Sequence, residues 1–145
     1  MNNKFVIYVT HTTIRISTKL QKQMVHFANE DLPLETCGYL VGKKEEIIQV
    51  EKIIKMFNIK QSPEEYFFNE VEMHQVYKKV RKEGLELIGS YHSHPKTPAR
   101  MSIRDIKLIA PNKCYVIISL KDTKPVIKAF IVEDNKPIEL KIVNN

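Results

Sequence analysis

With 145 residues, of which 43% are hydrophobic and 28% charged, the chain has the size and composition of one folded domain, residues 1–145, which excludes a fibrous or disordered protein. Its two cysteines are too few for a disulfide scaffold, and no apolar stretch reaches the ~20 residues of a membrane span, so we expect a cytoplasmic protein. The net charge of +6 is spread without an aromatic-interleaved basic cluster, which argues against nucleic acid and fits an acidic partner protein or a solvated surface.

The first half of the chain predicts strands and one helix. Residues 5–9 and 13–16 have the apolar or alternating pattern of strands. A helical pattern follows from Ser17 or Thr18 to about Asn29, and Asp31-Leu32-Pro33 ends it. Residues 35–41 and 47–54 then predict two strands joined by a turn at Gly42-Lys43-Lys44, which together form a hairpin.

The second half alternates helices with strands. After a loop near residues 61–63, helical spacing extends from Glu70 to Lys82, and Gly84 is a suitable stop. Residues 85–91 predict a buried strand that leads into a histidine cluster, and a short helix starts at Ser102. Three further strands are predicted at residues 115–119, 126–132 and 138–142. The fold class is therefore α/β in the loose sense, or α+β, with a mostly antiparallel sheet and helices.

The chemically most informative segment is His92-x-His94-Pro95, followed after six residues by Ser102-x-x-Asp105. Residues two apart in an extended strand point to the same side, so both imidazoles can face one metal ion. Asp105 would lie in the first turn of the next helix, where the helix dipole favours a carboxylate. Two histidines and one carboxylate are a typical ligand set for catalytic zinc, which keeps its fourth position for water.

Each part of this motif also has a structural interpretation without metal. Ser102-x-x-Asp105 fits a helix capping box, and two histidines at this spacing occur in ordinary polar turns. The conjunction of both parts at fixed spacing favours the metal site. Ser102 is then a candidate donor to the oxyanion that forms when water attacks a carbonyl. The attacking water also needs a general base, and the motif alone does not single one out among the acidic residues, so that Glu35 by itself is an ordinary carboxylate at a strand start.

The same residues resemble the JAMM metalloenzymes, also called the MPN-plus domain, whose pattern is an upstream Glu, then His-x-His-Pro, six residues, and Ser-x-x-Asp. The resemblance extends to Glu35-x-Cys37-Gly38-x-Leu40-x-Gly42 and to Gly89-x-Tyr91 before the histidines. Thr97-Pro98-Ala99 is similar to small stand-alone prokaryotic members. In total the resemblance covers roughly residues 12 to 132.

This resemblance implies a cytidine-deaminase-like fold, with a curved sheet between helices, and zinc-dependent hydrolysis of peptide or isopeptide bonds. It implies His92, His94 and Asp105 as ligands of Zn²⁺, Glu35 as general base, and Ser102 as the residue that steadies the tetrahedral intermediate. The implied substrates are ubiquitin-like or sulfur-carrier proteins with a Gly-Gly tail, or an amino acid joined to such a tail.

Other interpretations stay open at this stage. A groove beside the proposed metal site would also serve a non-catalytic module that binds a C-terminal tail without cutting it. The basic net charge gives slight support to a third interpretation, a DNA-associated relative of the JAMM enzymes. Exposed edges of a mostly antiparallel sheet would allow a homodimer, in which a neighbouring chain fills part of that groove. Cys37 lies two residues after Glu35 in the predicted strand, so both side chains point to the same side. Packing in the core is the first interpretation of Cys37, ahead of shaping the substrate channel and ahead of a chemical role of its thiol.

Overall fold

The computed structural model of the protein describes residues 11–145, so the strand predicted at residues 5–9 lies outside the described residues. Three helices occur in the described part: α1 (Thr18–Asp31), α2 (Glu70–Lys82) and α3 (Ile103–Lys107). Seven strands accompany them: β1 (Thr13–Arg15), β2 (Cys37–Lys44), β3 (Ile48–Met56), β4 (Glu86–His94), β5 (Cys114–Ser119), β6 (Val126–Glu133) and β7 (Lys136–Val143).

The strands close into a barrel in the order β1-β3-β2-β4-β5-β6-β7. Four pairings are antiparallel, whereas β1 with β3, β1 with β7, and β4 with β5 are parallel. The predicted α+β class is confirmed. The predicted curved sheet closes into a barrel, because the short β1 bridges β3 and β7, and three of the seven strand pairings are parallel. Each strand therefore has two neighbours, and the open sheet edges on which the predicted homodimer depended are not found among residues 11–145.

Helix α1 forms where its pattern predicts it. Ser17 caps its first turn, since the Ser17 hydroxyl accepts a hydrogen bond from the Leu20 amide at 3.2 Å. Leu20, Met24 and Ala28 lie on one face at helical spacing and pack into the main apolar core. This burial is what fixes α1 against the barrel.

The hairpin of β2 and β3 is confirmed, but its turn was predicted wrongly. Strand β2 continues through Lys44, and the turn comprises residues 45–47. Gly42 lies inside the strand, next to a shift in the pairing register, and a Cβ placed there would lie 1.7 Å from the Gln49 carbonyl oxygen. Gly42 thus permits a close approach between two backbones and does not form a turn.

Strand β4 lies between β2 and β5 and carries the histidines to one end of the barrel. Its pairing with β2 places Cys37 opposite His92, so the residues just before β2 meet the end of β4. Helix α3 follows after a loop that is pinned to β5 by the Ser119 hydroxyl, which donates to the Thr97 carbonyl at 2.6 Å. The start of β2, the end of β4 and the loop before α3 therefore meet at this end of the barrel.

None of the helices among residues 11–145 has both the length and the apolar character needed to cross a membrane.

Candidate metal centre

The three predicted ligands come together at the end of β4. His92, His94 and Asp105 each offer one ligand atom, and these atoms lie within 4.8 Å of one another. The His92 Nε2 atom is 3.2 Å from Asp105 Oδ1, and the His94 Nε2 atom is 3.2 Å from Asp105 Oδ2. The two imidazole Nε2 atoms are also 3.2 Å apart. One small cation between them would touch all three side chains.

The ring of His94 is oriented by a backbone carbonyl. Its Nδ1 atom lies 2.8 Å from the Pro98 carbonyl oxygen, which can only accept, so Nδ1 carries the proton. In the neutral ring Nε2 then presents a lone pair toward His92 and Asp105. A second hydrogen bond of this kind is the usual way in which proteins orient a histidine that binds a metal. The arrangement of donor atoms therefore fits a divalent cation.

Asp105 takes part in helix capping and in the ligand cluster at once. The Ser102 hydroxyl accepts from the Asp105 amide at 3.0 Å, and Asp105 Oδ2 accepts from the Ser102 amide at 2.8 Å. This is the capping box predicted from the sequence. Because both carboxylate oxygens also face the histidines, the structural and the metal interpretations of Asp105 are compatible, and the cap holds the carboxylate in place.

Burial and the contacts within the cluster together set the charge states of its side chains. Burial lowers the pKa of His92, which favours the neutral imidazole. For Asp105, burial alone would raise the pKa, but the neighbouring His92 and His94 side chains and the hydrogen bond from the Ser102 amide outweigh it and keep this pKa well below its usual range. Neutral imidazole and ionised carboxylate are the forms that bind a metal.

Glu35, where the strand was predicted to start, lies two residues before the observed start of β2 at Cys37, and the pairing of β2 with β4 brings it to the cluster. Glu35 is only 3% exposed. Burial, and then the nearby Asp105 carboxylate, raise the pKa of Glu35 to about 9. The Oε1 atom is buried without a hydrogen-bond partner. Such an unpaired carboxyl beside a charged cluster is typical of functional sites.

Sequence reasoning missed the aromatic cover of the cluster. Tyr66, in the loop between β3 and α2, stacks on the His92 ring with centroids 4.7 Å apart and planes 26° apart. The Tyr66 hydroxyl lies 3.3 Å from Ser90 Oγ. In the same loop, Glu64 forms an ion pair with Arg104 of α3 at 2.7 Å. No local spacing relates these residues to the histidines, so only the aromatic run at residues 66–68 hinted at a special segment.

Two cavities border this loop. A small one of about 30 Å³ is lined by His92, Asp105 and Tyr66 among others, and has room for a water molecule. A larger cavity of about 710 Å³ shares Tyr66 with the small one and is lined by the loop, α2 and β4 among others. Met73 and Tyr77 of α2 line the larger cavity and are 37% and 50% exposed. The buried cluster is thus adjacent to an apolar groove.

Cys37 is fully buried and lies opposite His92 in the sheet. Burial raises the pKa of its thiol to about 12, and its Sγ atom lies 3.7 Å from the Met56 carbonyl oxygen. At neutral pH it remains a thiol. The packing interpretation of Cys37 agrees with this environment.

Comparisons with known proteins agree with the motif. The family described as "Prokaryotic homologs of the JAB domain" matches residues 17–131. The chain is 31% identical to the "Probable TtuB-protein conjugate cleaving protease" of Thermus thermophilus, over 86% of this chain and 78% of that protein. It is 33% identical to the "Desampylase" of Pyrococcus furiosus, over 76% of each chain. It is also 34% identical to the "CysO-cysteine peptidase" of Mycobacterium tuberculosis, over 74% and 73%.

A solution structure of a protein from Desulfitobacterium hafniense superimposes with a TM-score of 0.81 at 35% identity, covering 90% of this chain and 91% of that one. One from Salinibacter ruber gives a TM-score of 0.66 at 25% identity, covering 90% of each chain. The fold is therefore shared with solved structures over nearly its whole length. Because the family match spans residues 17–131 and several relatives exceed 30% identity over most of the chain, this protein belongs to the prokaryotic JAB-domain family.

Proposed function

We propose that this protein is a zinc-dependent peptidase that cuts peptide or isopeptide bonds at the C-terminal tail of ubiquitin-like or sulfur-carrier proteins, or releases an amino acid from such a tail. The observation that carries the proposal is the convergence of the His92, His94 and Asp105 donor atoms within 4.8 Å, beside the buried Glu35. The names of the relatives support it: a probable TtuB-protein conjugate cleaving protease in Thermus, a desampylase in Pyrococcus and a CysO-cysteine peptidase in Mycobacterium.

His92, His94 and Asp105 would hold the zinc ion through two nitrogen atoms and one carboxylate oxygen. A three-residue set is typical of catalytic zinc, whereas structural zinc usually has four protein ligands. A bound zinc ion would act as a Lewis acid and lower the pKa of a coordinated water. The cap at Ser102 and the bond from His94 to Pro98 orient two of these side chains before any ion binds.

Glu35 acts in this proposal as the general base. Because burial and the Asp105 carboxylate raise its pKa to about 9, Glu35 holds a proton at neutral pH without a metal ion, and a cation beside it would lower that pKa. Ionised Glu35 then takes a proton from the attacking water and returns it to the leaving amine. Ser102 already accepts from the Asp105 amide, so its own hydroxyl hydrogen stays free to donate to the developing oxyanion.

The larger cavity provides a place for the tail. It is lined mainly by aromatic and aliphatic side chains, and one of them, Tyr66, also stacks on His92 of the ligand cluster. In this proposal an extended tail lies along it and brings its terminal glycines, which lack side chains, toward the small cavity that His92 and Asp105 line. The same proposal includes the cytidine-deaminase-like arrangement, a single domain and a cytoplasmic location.

Zinc content, measured by elemental analysis, tests the proposal directly. We expect about one zinc per wild-type chain and its loss in His94→Ala and in Asp105→Ala, together with loss of cleavage of a fusion protein built on a Gly-Gly-tailed carrier. Zinc-loaded wild type that binds the carrier tail without cutting it would favour the non-catalytic tail-binding module. Wild type without zinc under metal-replete conditions would contradict the proposal.

A further inference from the structure

Asn58 is the second residue after β3 and is buried, with 7% of its surface exposed. Both the nitrogen and the oxygen of its side-chain amide form hydrogen bonds. The Nδ2 atom donates to the Glu35 carbonyl at 3.2 Å and to the Glu65 carbonyl at 2.9 Å. The Oδ1 atom accepts from the Lys60 amide at 3.1 Å and from the Phe67 amide at 3.3 Å. One side chain therefore joins both ends of the loop at residues 57–69 to the backbone of Glu35.

This link matters because Glu35 is held through its backbone. Its side-chain Oε1 atom has no hydrogen-bond partner. Its amide donates to the Ser62 carbonyl at 2.9 Å, and its carbonyl accepts from Asn58. On the other side, the Thr36 amide donates to Ser93 Oγ at 2.8 Å, and the Ser93 amide donates to the Thr36 carbonyl at 3.1 Å. The end of β4 fixes Thr36, whereas the loop at residues 57–69 fixes Glu35.

We propose that Asn58 is a positioning residue for the reaction, which sets where the Glu35 carboxylate stands relative to the ligand cluster. The inference rests on the proposed function, in which Glu35 is the general base for a water molecule at the ligand cluster. A general base has to lie within hydrogen-bond reach of the proton that it removes, and a misplacement of about 1 Å can cost about 10²-fold in rate. Asn58 contacts none of the three proposed ligands among its hydrogen bonds, so it acts on Glu35 and not on metal binding.

The first test compares Asn58→Ala with Ser17→Ala in zinc-loaded protein. Ser17→Ala removes the N-cap of α1, far from the site in sequence, and serves as the control for a general loss of stability. We expect Asn58→Ala to lower kcat at least tenfold for the carrier fusion, with KM and the zinc dissociation constant within about twofold of wild type. Ser17→Ala should leave all three within about twofold. A loss in Asn58→Ala that falls on KM or on zinc affinity alone would overturn the proposal.

A second variant guards against poor folding of Asn58→Ala. Asn58→Asp has nearly the same shape and keeps the oxygen that accepts from Lys60 and Phe67, but it cannot donate to Glu35 when ionised. We expect kcat to fall at least as far as in Asn58→Ala, since the new charge also lies near Glu35. Wild-type kcat in Asn58→Asp would show that the donated bond is irrelevant and would overturn the proposal.

Amide hydrogen exchange gives a result that does not depend on turnover. In Asn58→Ala we expect exchange of the Glu35, Lys60 and Phe67 amides to accelerate at least tenfold, and in Ser17→Ala to stay near wild type. Unchanged exchange at Glu35 in Asn58→Ala would refute the positioning role, even if the wild type cleaved nothing. Absence of cleavage by wild type would instead count against the proposed function, so the two failures are distinguishable.

Discussion

The apolar core of the barrel and the polar cluster at the end of β4 are equally withdrawn from water but differ in what their burial does. In the core, Met24 and Ile118 are fully buried among aliphatic neighbours, and burial stabilises the fold. At the end of β4, Glu35 and His92 are 3% and 0% exposed and keep polar atoms without hydrogen-bond partners. There, burial costs free energy and appears instead as shifted pKa values. Stability and chemistry are therefore separated along one barrel.

If stability and chemistry are separated in this way, the largest effect is the loss of turnover in Glu35→Gln. Removing a general base costs about 10²–10⁴-fold in rate, while zinc binding should persist, because the three proposed ligands remain. Parallel measurements of kcat and zinc content would check this. Turnover within a few-fold of wild type would remove Glu35 from the mechanism.

The core should show the opposite behaviour in Met24→Ala. Truncation of a fully buried methionine costs about 2–5 kcal/mol in free energy of unfolding. The ligand cluster is not altered, so kcat per folded, zinc-loaded molecule should change little. Denaturant unfolding and kinetics at low temperature measure the two quantities, and a drop in kcat larger than the drop in folded fraction would contradict the separation.

The pH dependence of metal-free stability sharpens the comparison. Since burial raises the pKa of Glu35 from 4.5 to about 9, its protonated form is favoured in the folded state. That contribution is fully present below pH 4.5 and is lost as the pH rises toward 9. At about 1.4 kcal/mol per pH unit, wild type should lose at most about 4 kcal/mol between pH 5 and pH 8 relative to Glu35→Gln. Equal pH profiles for the two metal-free proteins would show that Glu35 is not held protonated.

The smallest effect concerns the groove beside the cluster. Met73 and Tyr77 line the large cavity, whereas Val71 lies on the same helix, is 67% exposed and is outside that lining. Replacing both Met73 and Tyr77 by serine should raise KM for the carrier fusion about tenfold, equivalent to about 1.4 kcal/mol, with kcat nearly unchanged. Val71→Ser is the matched control and should leave KM alone. Equal KM values in all three proteins would exclude this cavity as the tail site.

Local patterns predicted most elements because each depends on neighbours in sequence. The bounds of α2 follow helical spacing from Glu70 to Lys82, and the capping box at Ser102 follows from two residues three apart. The turn at residues 42–44 was predicted wrongly, because a glycine signals either a turn or a close approach, and only the neighbouring strand decides which. Closure of the barrel was missed for a similar reason, since alternation along β1 does not state which strands it joins.

The sequence by itself determined the part of the site that is local. His92 and His94 share a face because a strand repeats every two residues, and Asp105 is presented by the first turn of its own helix. Only the tertiary structure decided that Glu35 stands beside them, that Tyr66 covers His92 and that Asn58 holds the backbone of Glu35. Those contacts span 57, 26 and 23 positions, and they depend on the register of whole strands and on one loop, which no short-range periodicity specifies.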